Sequence, residues 1–315
     1  MSVIVSGGSG QKILLDGVEY KGELKLSTKY QWVADKDTFF VDNDKNKIYV
    51  SYKGKIHVFA SGTKHYRLEG NEWIEDVPMP FSISTTSSTN GYDADKLVGW
   101  EHGKYLYLMY ELALYRFDGI SFAKVLNVPS KETDTSYLAY QRKRIPAIEG
   151  NKVYLSFQTR TGKSNYTYYT YCGYIDLDTM KWVDIATLPY PDGAILGFIE
   201  GNLYALGGYS KTSPTSDIYK LNGSSWTQIS YLGSAISTGD SWGVAQNNKI
   251  YIVIKGCGLV SFDGTKLESI IDIGDFLESR LVSNNGKIHL FGEIGVNHNI
   301  FGLHQVLEKV LCLED

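Results

Sequence analysis

Proline is scarce in this 315-residue chain, at seven, and cysteine scarcer still, at three. Cys172, Cys257 and Cys312 are odd in number and show no CxxC spacing, so they are read as free thiols and not as a disulfide framework. No charge of one sign dominates. The net charge of −4 at pH 7 argues against a polyanion-binding surface, and no nucleic-acid partner is expected. The one basic cluster, QRKR at 141–144, is read as a solvated loop. No apolar run approaches the roughly 20 residues of a membrane helix; stretches such as IYIVI at 250–254 are typical. The opening, MSVIVSGGSGQK, lacks the basic flank and apolar length of a signal peptide, so neither export nor membrane insertion is expected.

What the chain does have is 43% apolar residues, enough for a sizeable core, with thirty-two glycines and twenty-four tyrosines. That mixture favours strands joined by tight turns. Self-similarity then becomes visible. YKLNGSSW at 219–226 is echoed by YRLEGNEW at 66–73, YRFDGISF at 115–122, IDLDTMKW at 175–182 and VSFDGTKL at 260–267. Each copy leads through a two-residue turn of the φ > 0 type to a large apolar side chain. Trp73, Phe122, Trp182, Trp226 and Leu267 hold that place.

A second unit repeats as well. GNLYALGG at 201–208 has partners in NKIYVSY (46–52), GKYLYLMY (103–110), NKVYLSF (151–157), NKIYIVI (248–254) and GKIHLFG (286–292). Each is preceded by a short apolar strand: TFFVD, KLVGW, RIPAI, AILGF, WGVAQ and RLVSN. Four short strands recur about every 50 residues, and no helical period is long enough for a crossover. The expected fold is all-β, a six-bladed propeller over 29–315 with a short β appendage over 1–28. The Trp32 strand, KYQWVAD at 29–35, resembles the fourth strands and is expected to complete the sixth sheet; in the alternative, KVLCL at 309–313 does so.

The double glycine after an apolar strand and the spaced Tyr and Trp resemble the kelch-repeat β-propellers. Only the fourth copy has the whole set: Gly207, Gly208, Tyr219 and Trp226. In a four-stranded meander the 1–2 and 3–4 turns share one face, and they are uniformly tight here. The long segments fall between strands two and three (TRTGKSNYTYYT, YSKTSPTSD, EIGVNHN) or between blades (80–95 and 129–143). Long loops held on a rigid scaffold are where function gathers, so the long-loop face is the expected working face.

Chemical motifs are few. The six histidines are assigned to different copies or, for His298 and His304, to either side of one strand. Without HxH or HExxH spacing, no metal site and no cofactor are expected. Kelch-class copper oxidases combine Tyr, Cys and His, but nothing here matches their motif. GGSG at 7–10 lacks the context of a phosphate loop, and no GxSxG elbow is present. No catalytic set is therefore assigned. Tyrosines among Asn, Asp and Thr suit sugar rings, which show C–H patches between hydroxyls. The candidate binding residues on the long-loop face are Tyr92, Asp93, Tyr137, Tyr140, Arg160, Tyr166, Tyr168, Tyr209, Trp242 and His298.

The Gly-rich start, single propeller and Lys/Asn/Tyr-rich composition resemble in style the tail and baseplate proteins of bacteriophages and tailocins of low-GC bacteria. That resemblance implies a non-enzymatic structural and recognition protein. It would join other tail or baseplate proteins through residues 1–28 and bind a host surface glycan or protein through the long loops. Its place would be a virion or tail-like particle assembled in the bacterial cytoplasm, with a homo-oligomer allowed. Two other readings stand beside it: a kelch sugar enzyme similar to sialic acid mutarotases, and an intracellular protein-binding adaptor.

Overall fold

The structure is a computed structural model that describes residues 3–5, 13–15, 18–20, 31–34, 47–70, 72–83, 96–131, 145–161, 167–209, 214–232, 242–254, 258–271, 276–295 and 306–314. Short apolar runs cut by turns fold as strands throughout. Among the described residues no helix is long and apolar enough to cross a membrane. β1 (Val3–Val5), β2 (Ile13–Leu15) and β3 (Val18–Tyr20) form a small antiparallel sheet of their own, and β4 (Gln31–Ala34) follows.

The next twenty strands make five antiparallel sheets of four consecutive strands each. The first holds β5 (Ile48–Tyr52), β6 (Lys55–Phe59), β7 (His65–Glu69) and β8 (Glu72–Glu75). The second holds β9 (Leu97–His102), β10 (Tyr105–Tyr110), β11 (Ala113–Phe117) and β12 (Phe122–Asn127). The third holds β13 (Ala147–Glu149), β14 (Lys152–Thr161), β15 (Thr167–Asp176) and β16 (Lys181–Asp184). The fourth holds β17 (Ile195–Ile199), β18 (Asn202–Leu206), β19 (Asp217–Asn222) and β20 (Ser225–Tyr231). The fifth holds β21 (Gly243–Gln246), β22 (Lys249–Ile254), β23 (Gly258–Phe262) and β24 (Leu267–Ile271).

The last sheet is composite. β25 (Phe276–Asn284), β26 (Lys287–Gly295) and β27 (Val306–Glu314) supply three strands, and β4 supplies the fourth from the other end of the chain. Leu311 lies opposite Ala34, and Leu313 opposite Trp32. KVLCL at 309–313 thus forms part of the third strand, while the Trp32 segment is the outer one. Innermost strands meet around an axis: β5 with β9, β13 with β17, β17 with β21, β21 with β25, and β25 with β5. The fold is an all-β propeller. Its blades of consecutive strands number five, not the six alike copies expected; the sixth sheet is shared between the chain ends.

A sheet with two apolar faces must bury both, and the ring does so through six apolar clusters, one at each junction. Phe59 and Phe117 belong to the cluster between the first two blades, and Tyr154 and Leu203 to that between the third and fourth. The five repeat residues serve these junctions one by one. Trp73, Phe122, Trp182, Trp226 and Leu267 each pack on a different cluster. Trp226 also donates its indole N–H to Ala186 O at 2.8 Å, tying the fourth blade to the segment after the third. Leu68–Trp73, Phe117–Phe122, Leu221–Trp226 and Phe262–Leu267 share one register; in the third blade Trp182 lies opposite Ile175, two residues further back, and in the composite sheet Trp32 lies opposite Leu313.

Three expectations need correction. In the first blade, IYVSY is the innermost strand, where the repeat made it the second, and KIHVF is the second; TFFVD lies outside the described residues. The shift arises because IYVSY and KIHVF carry nearly the same apolar pattern. The Asp-initiated turns are longer than the two residues expected, although Gly119 and Gly264 within them do have positive φ. They are four-residue loops in which Asp118, Asp176 and Asp263 each accept two backbone N–H groups, two and three residues on. Those bonds hold all three carboxyls below the usual range, Asp263 at about 2. Finally, much of TRTGKSNYTYYT is not loop. β14 and β15 run on as an extended hairpin to the Thr161–Thr167 pair.

Candidate functional site

Blades taper toward an axis, and side chains must shrink there. Gly99, in β9, has no room for a Cβ, which would stand 2.6 Å from Val50 Cγ2. Gly197, in β17, would meet Ile250 at the same distance. Bare backbone at these points lets the inner strands close in while leaving an axial cavity of about 500 Å³.

The cavity is two-ended. Where the innermost strands begin, its wall is Ile48, Val98, Leu281 and Trp242, all buried. Trp242 is 5% exposed and packs with residues of the first two blades, so it reaches across the hub. The Arg280 guanidinium sits 4.4 Å from its ring centroid, a cation–π contact in a water-poor setting. Where the same strands end, Ala245, Asn247, Asn248 and Ile148 are exposed. The cavity therefore opens on the tight-turn face, whereas the long-loop face had been the expected working side.

Polar groups at this mouth are mostly committed to one another. Ser51 Oγ donates to Asn284 Oδ1 at 2.8 Å, and Ser283 Oγ donates to Gln246 Oε1 at 2.6 Å. Glu101 Oε1 accepts the Lys53 N–H at 2.9 Å. These bonds join the first and second blades to each other and close the composite sheet onto its neighbours. Glu101 carries the one carboxylate among the described lining residues. Trp100 lines the same cavity at 4% exposure, and its indole Nε1–H has no acceptor among the described residues. A buried donor in a cavity wall is a natural handle for a ligand oxygen.

The described residues among those singled out from sequence do not converge here. Tyr92, Asp93, Tyr137, Tyr140, Tyr166 and His298 lie outside the described residues. Arg160 is in β14, opposite Tyr168 across the extended hairpin. Tyr168 is half-buried, and Tyr209 bridges Asp192 and Pro214. Of the described members of the set, Trp242 alone lines the cavity. The tyrosine-rich run mostly builds core: Tyr171 is fully buried, stacks on Phe157 at 4.8 Å, and accepts the Lys131 N–H at 2.7 Å. Trp100 and Glu101 were missed because a Trp-Glu pair at a strand end carries no motif.

One cluster contradicts its sequence reading outright. His57 and His65 belong to the same blade, on adjacent strands, with His57 Nδ1 2.8 Å from His65 Nε2. Burial, then the neighbouring His65 charge, pushes the His57 pKa down to about 4; burial lowers His65 also, so both rings are neutral at pH 7. Asp76 joins them, with one polar atom from each of the three lying within 4.8 Å of the others. The sequence reading had scattered the histidines over different copies, although both lie between the first copy's units at 46–52 and 66–73.

No family model matches the chain. No curated protein matches it either. Among solved structures, one described as "Structure of YjhT" is similar, with a TM-score of 0.59 over 84% of this chain and 93% of that one, at 11% identity. At that identity the likeness speaks for the propeller fold alone.

Proposed function

We propose that the protein is a non-enzymatic recognition protein with kelch-like repeats that holds the terminal sugar of a host surface glycan in the axial cavity. The observation that carries this reading is the cavity's make-up. It has an apolar floor and an indole donor, with a single carboxylate already bound to a backbone N–H. Such a lining suits the C–H faces and hydroxyls of a sugar, and its described residues offer no pair of acid and base poised for chemistry. The sheet of β1–β3 lies outside the ring's sheets and is the proposed joint to other tail or baseplate proteins of a phage or phage-like particle. The long-connection side, with Tyr168 and Tyr209, is the proposed contact side for a host protein.

The same cavity favours a second reading, a sugar enzyme, because about 500 Å³ accommodates one sugar ring. A glycan array with the full-length protein, together with electron microscopy of particles labelled for it, separates the two. Binding to a defined glycan and a label at the tail end are expected. Trp100→Phe, which removes the indole donor and keeps an aromatic ring, though a smaller one, is expected to weaken glycan binding roughly fivefold to tenfold. Absence from every particle together with turnover of a free sugar would contradict the recognition reading.

A further inference from the structure

Two positions in the first blade hold ligand-type side chains where the next four blades hold ordinary core residues, and a third holds one where the third blade has isoleucine. His57 is the third residue of β6, and the third residues of β10, β14, β18 and β22 are Tyr107, Tyr154, Tyr204 and Tyr251. His65 lies opposite the fifth residue of its neighbouring strand; Leu114, Cys172, Ile218 and Leu259 take that place in the next four blades. The N–H of Asp76 bonds His65 O at 2.8 Å, as the N–H of Ile185 bonds Cys172 O at 3.0 Å in the third blade. Tyr, Cys and Ile in one blade thus correspond to His, His and Asp in another. Exchanging all three core positions for polar groups at once is costly unless the groups act together.

We propose that His57 Nδ1, His65 Nε2 and the Asp76 carboxylate form a binding site for a divalent first-row transition metal of the Zn²⁺ type. Two imidazole nitrogens and a carboxylate oxygen are a donor set that such ions favour. His65 Nδ1 donates to Val77 O at 2.8 Å, which fixes the tautomer and leaves Nε2 as the free ligand. Asp76 is oriented too: its Oδ1 accepts the Val77 N–H at 2.8 Å and its Oδ2 accepts Arg67 Nη1 at 2.9 Å. Phe59 stacks on His65 at 4.4 Å, and Tyr52 meets the His57 ring edge-on at 5.5 Å, so both rings are walled by aromatic groups.

In the metal-free state one proton sits between the two rings, donated by His57 Nδ1 to His65 Nε2. Binding moves that proton to His57 Nε2, leaving both imidazoles neutral, and the ion takes its place. The nitrogens then open from 2.8 Å to roughly 3.3 Å, the separation that tetrahedral Zn–N bonds require. The site stands apart from the axial cavity and does not depend on the reading given to it.

The test uses full-length protein stripped with a chelator and dialysed against Zn²⁺ alone, with metal content measured by plasma mass spectrometry and folding followed by circular dichroism. About one Zn²⁺ per chain is expected. The double variant His57→Tyr, His65→Leu gives the first blade residue types found at these positions elsewhere in the ring, and it is expected to fold and to retain less than about a tenth of the metal. Asp76→Asn is expected to weaken Zn²⁺ binding at least roughly tenfold. No stoichiometric zinc in the parent protein, or equal uptake by the folded double variant, overturns the proposal and leaves the pair as a proton-sharing core contact. Should the double variant fail to fold, unchanged affinity in Asp76→Asn overturns it instead.

Discussion

Deleting residues 1–35 lowers the melting temperature by roughly 10 °C, whereas deleting residues 1–28 leaves it within about 2 °C of the parent. The difference between the two truncations is β4. Its removal breaks four pairs, from Ala34–Leu311 to Trp32–Leu313 and Gln31–Glu314, and strips the outer strand from the composite sheet. The other five sheets each place an apolar side chain at the register of Trp32, and it packs on the junction cluster beside it. Losing a large side chain from such a junction costs about 3 kcal/mol, before the lost backbone pairing is added. Residues 1–20 hold a separate sheet, β1–β3, which among the described residues makes no strand pairing with the ring. Calorimetry on the three chains checks the expectation. Light scattering should show association of the shorter truncation product only, since β27 then presents a bare edge.

Gly208→Ala is expected to cost about 3 kcal/mol and to depress the melting temperature by about 6 °C, far more than Gly223→Ala. Both glycines have positive φ, +109° at Gly208 and +59° at Gly223. What separates them is space. A Cβ on Gly223 meets nothing within 4 Å, but one on Gly208 would lie 2.1 Å from the backbone oxygen of Tyr190. That oxygen cannot swing away. Tyr209 bridges Asp192, and Ser156 Oγ donates to Pro191 O at 3.0 Å, so the segment entering the fourth blade is held from both sides. Gly208 O also accepts the Thr215 N–H at 2.9 Å. At Gly223 only the backbone preference is lost, about 1 kcal/mol. Chemical denaturation of both variants decides the matter, and equal losses would contradict the crowding at Gly208.

The architecture was legible because a repeat multiplies a weak signal. One Asp-Gly before an aromatic residue means little, but five copies in one register define a strand pair and a buried junction. The Trp32 segment was readable for the same reason: its sequence matches fourth strands found elsewhere. Legibility failed where neighbouring strands look alike. IYVSY and KIHVF both carry alternating apolar residues, and the repeat placed IYVSY second. It also failed at the axial cavity. Trp100 and Glu101 come together with Gln246 and Ser283 only because the ring brings strand ends from distant blades to one mouth, which no local spacing encodes. The tyrosine-rich run misled for a physical reason. Tyr is favoured on strands by packing, and burial of Tyr171 against Phe157 uses it that way.

Ring closure by the two chain ends carries the whole account, and Val33→Cys tests it most directly. Val33 lies opposite Cys312 in the β4–β27 pair. Mild oxidation of this variant should form an intramolecular bond that joins the two ends, seen by mass spectrometry as the loss of two hydrogens and as one linked peptide, and Cys312→Ala should abolish it. Free thiols at both positions in folded, oxidised protein would contradict a ring latched by β4.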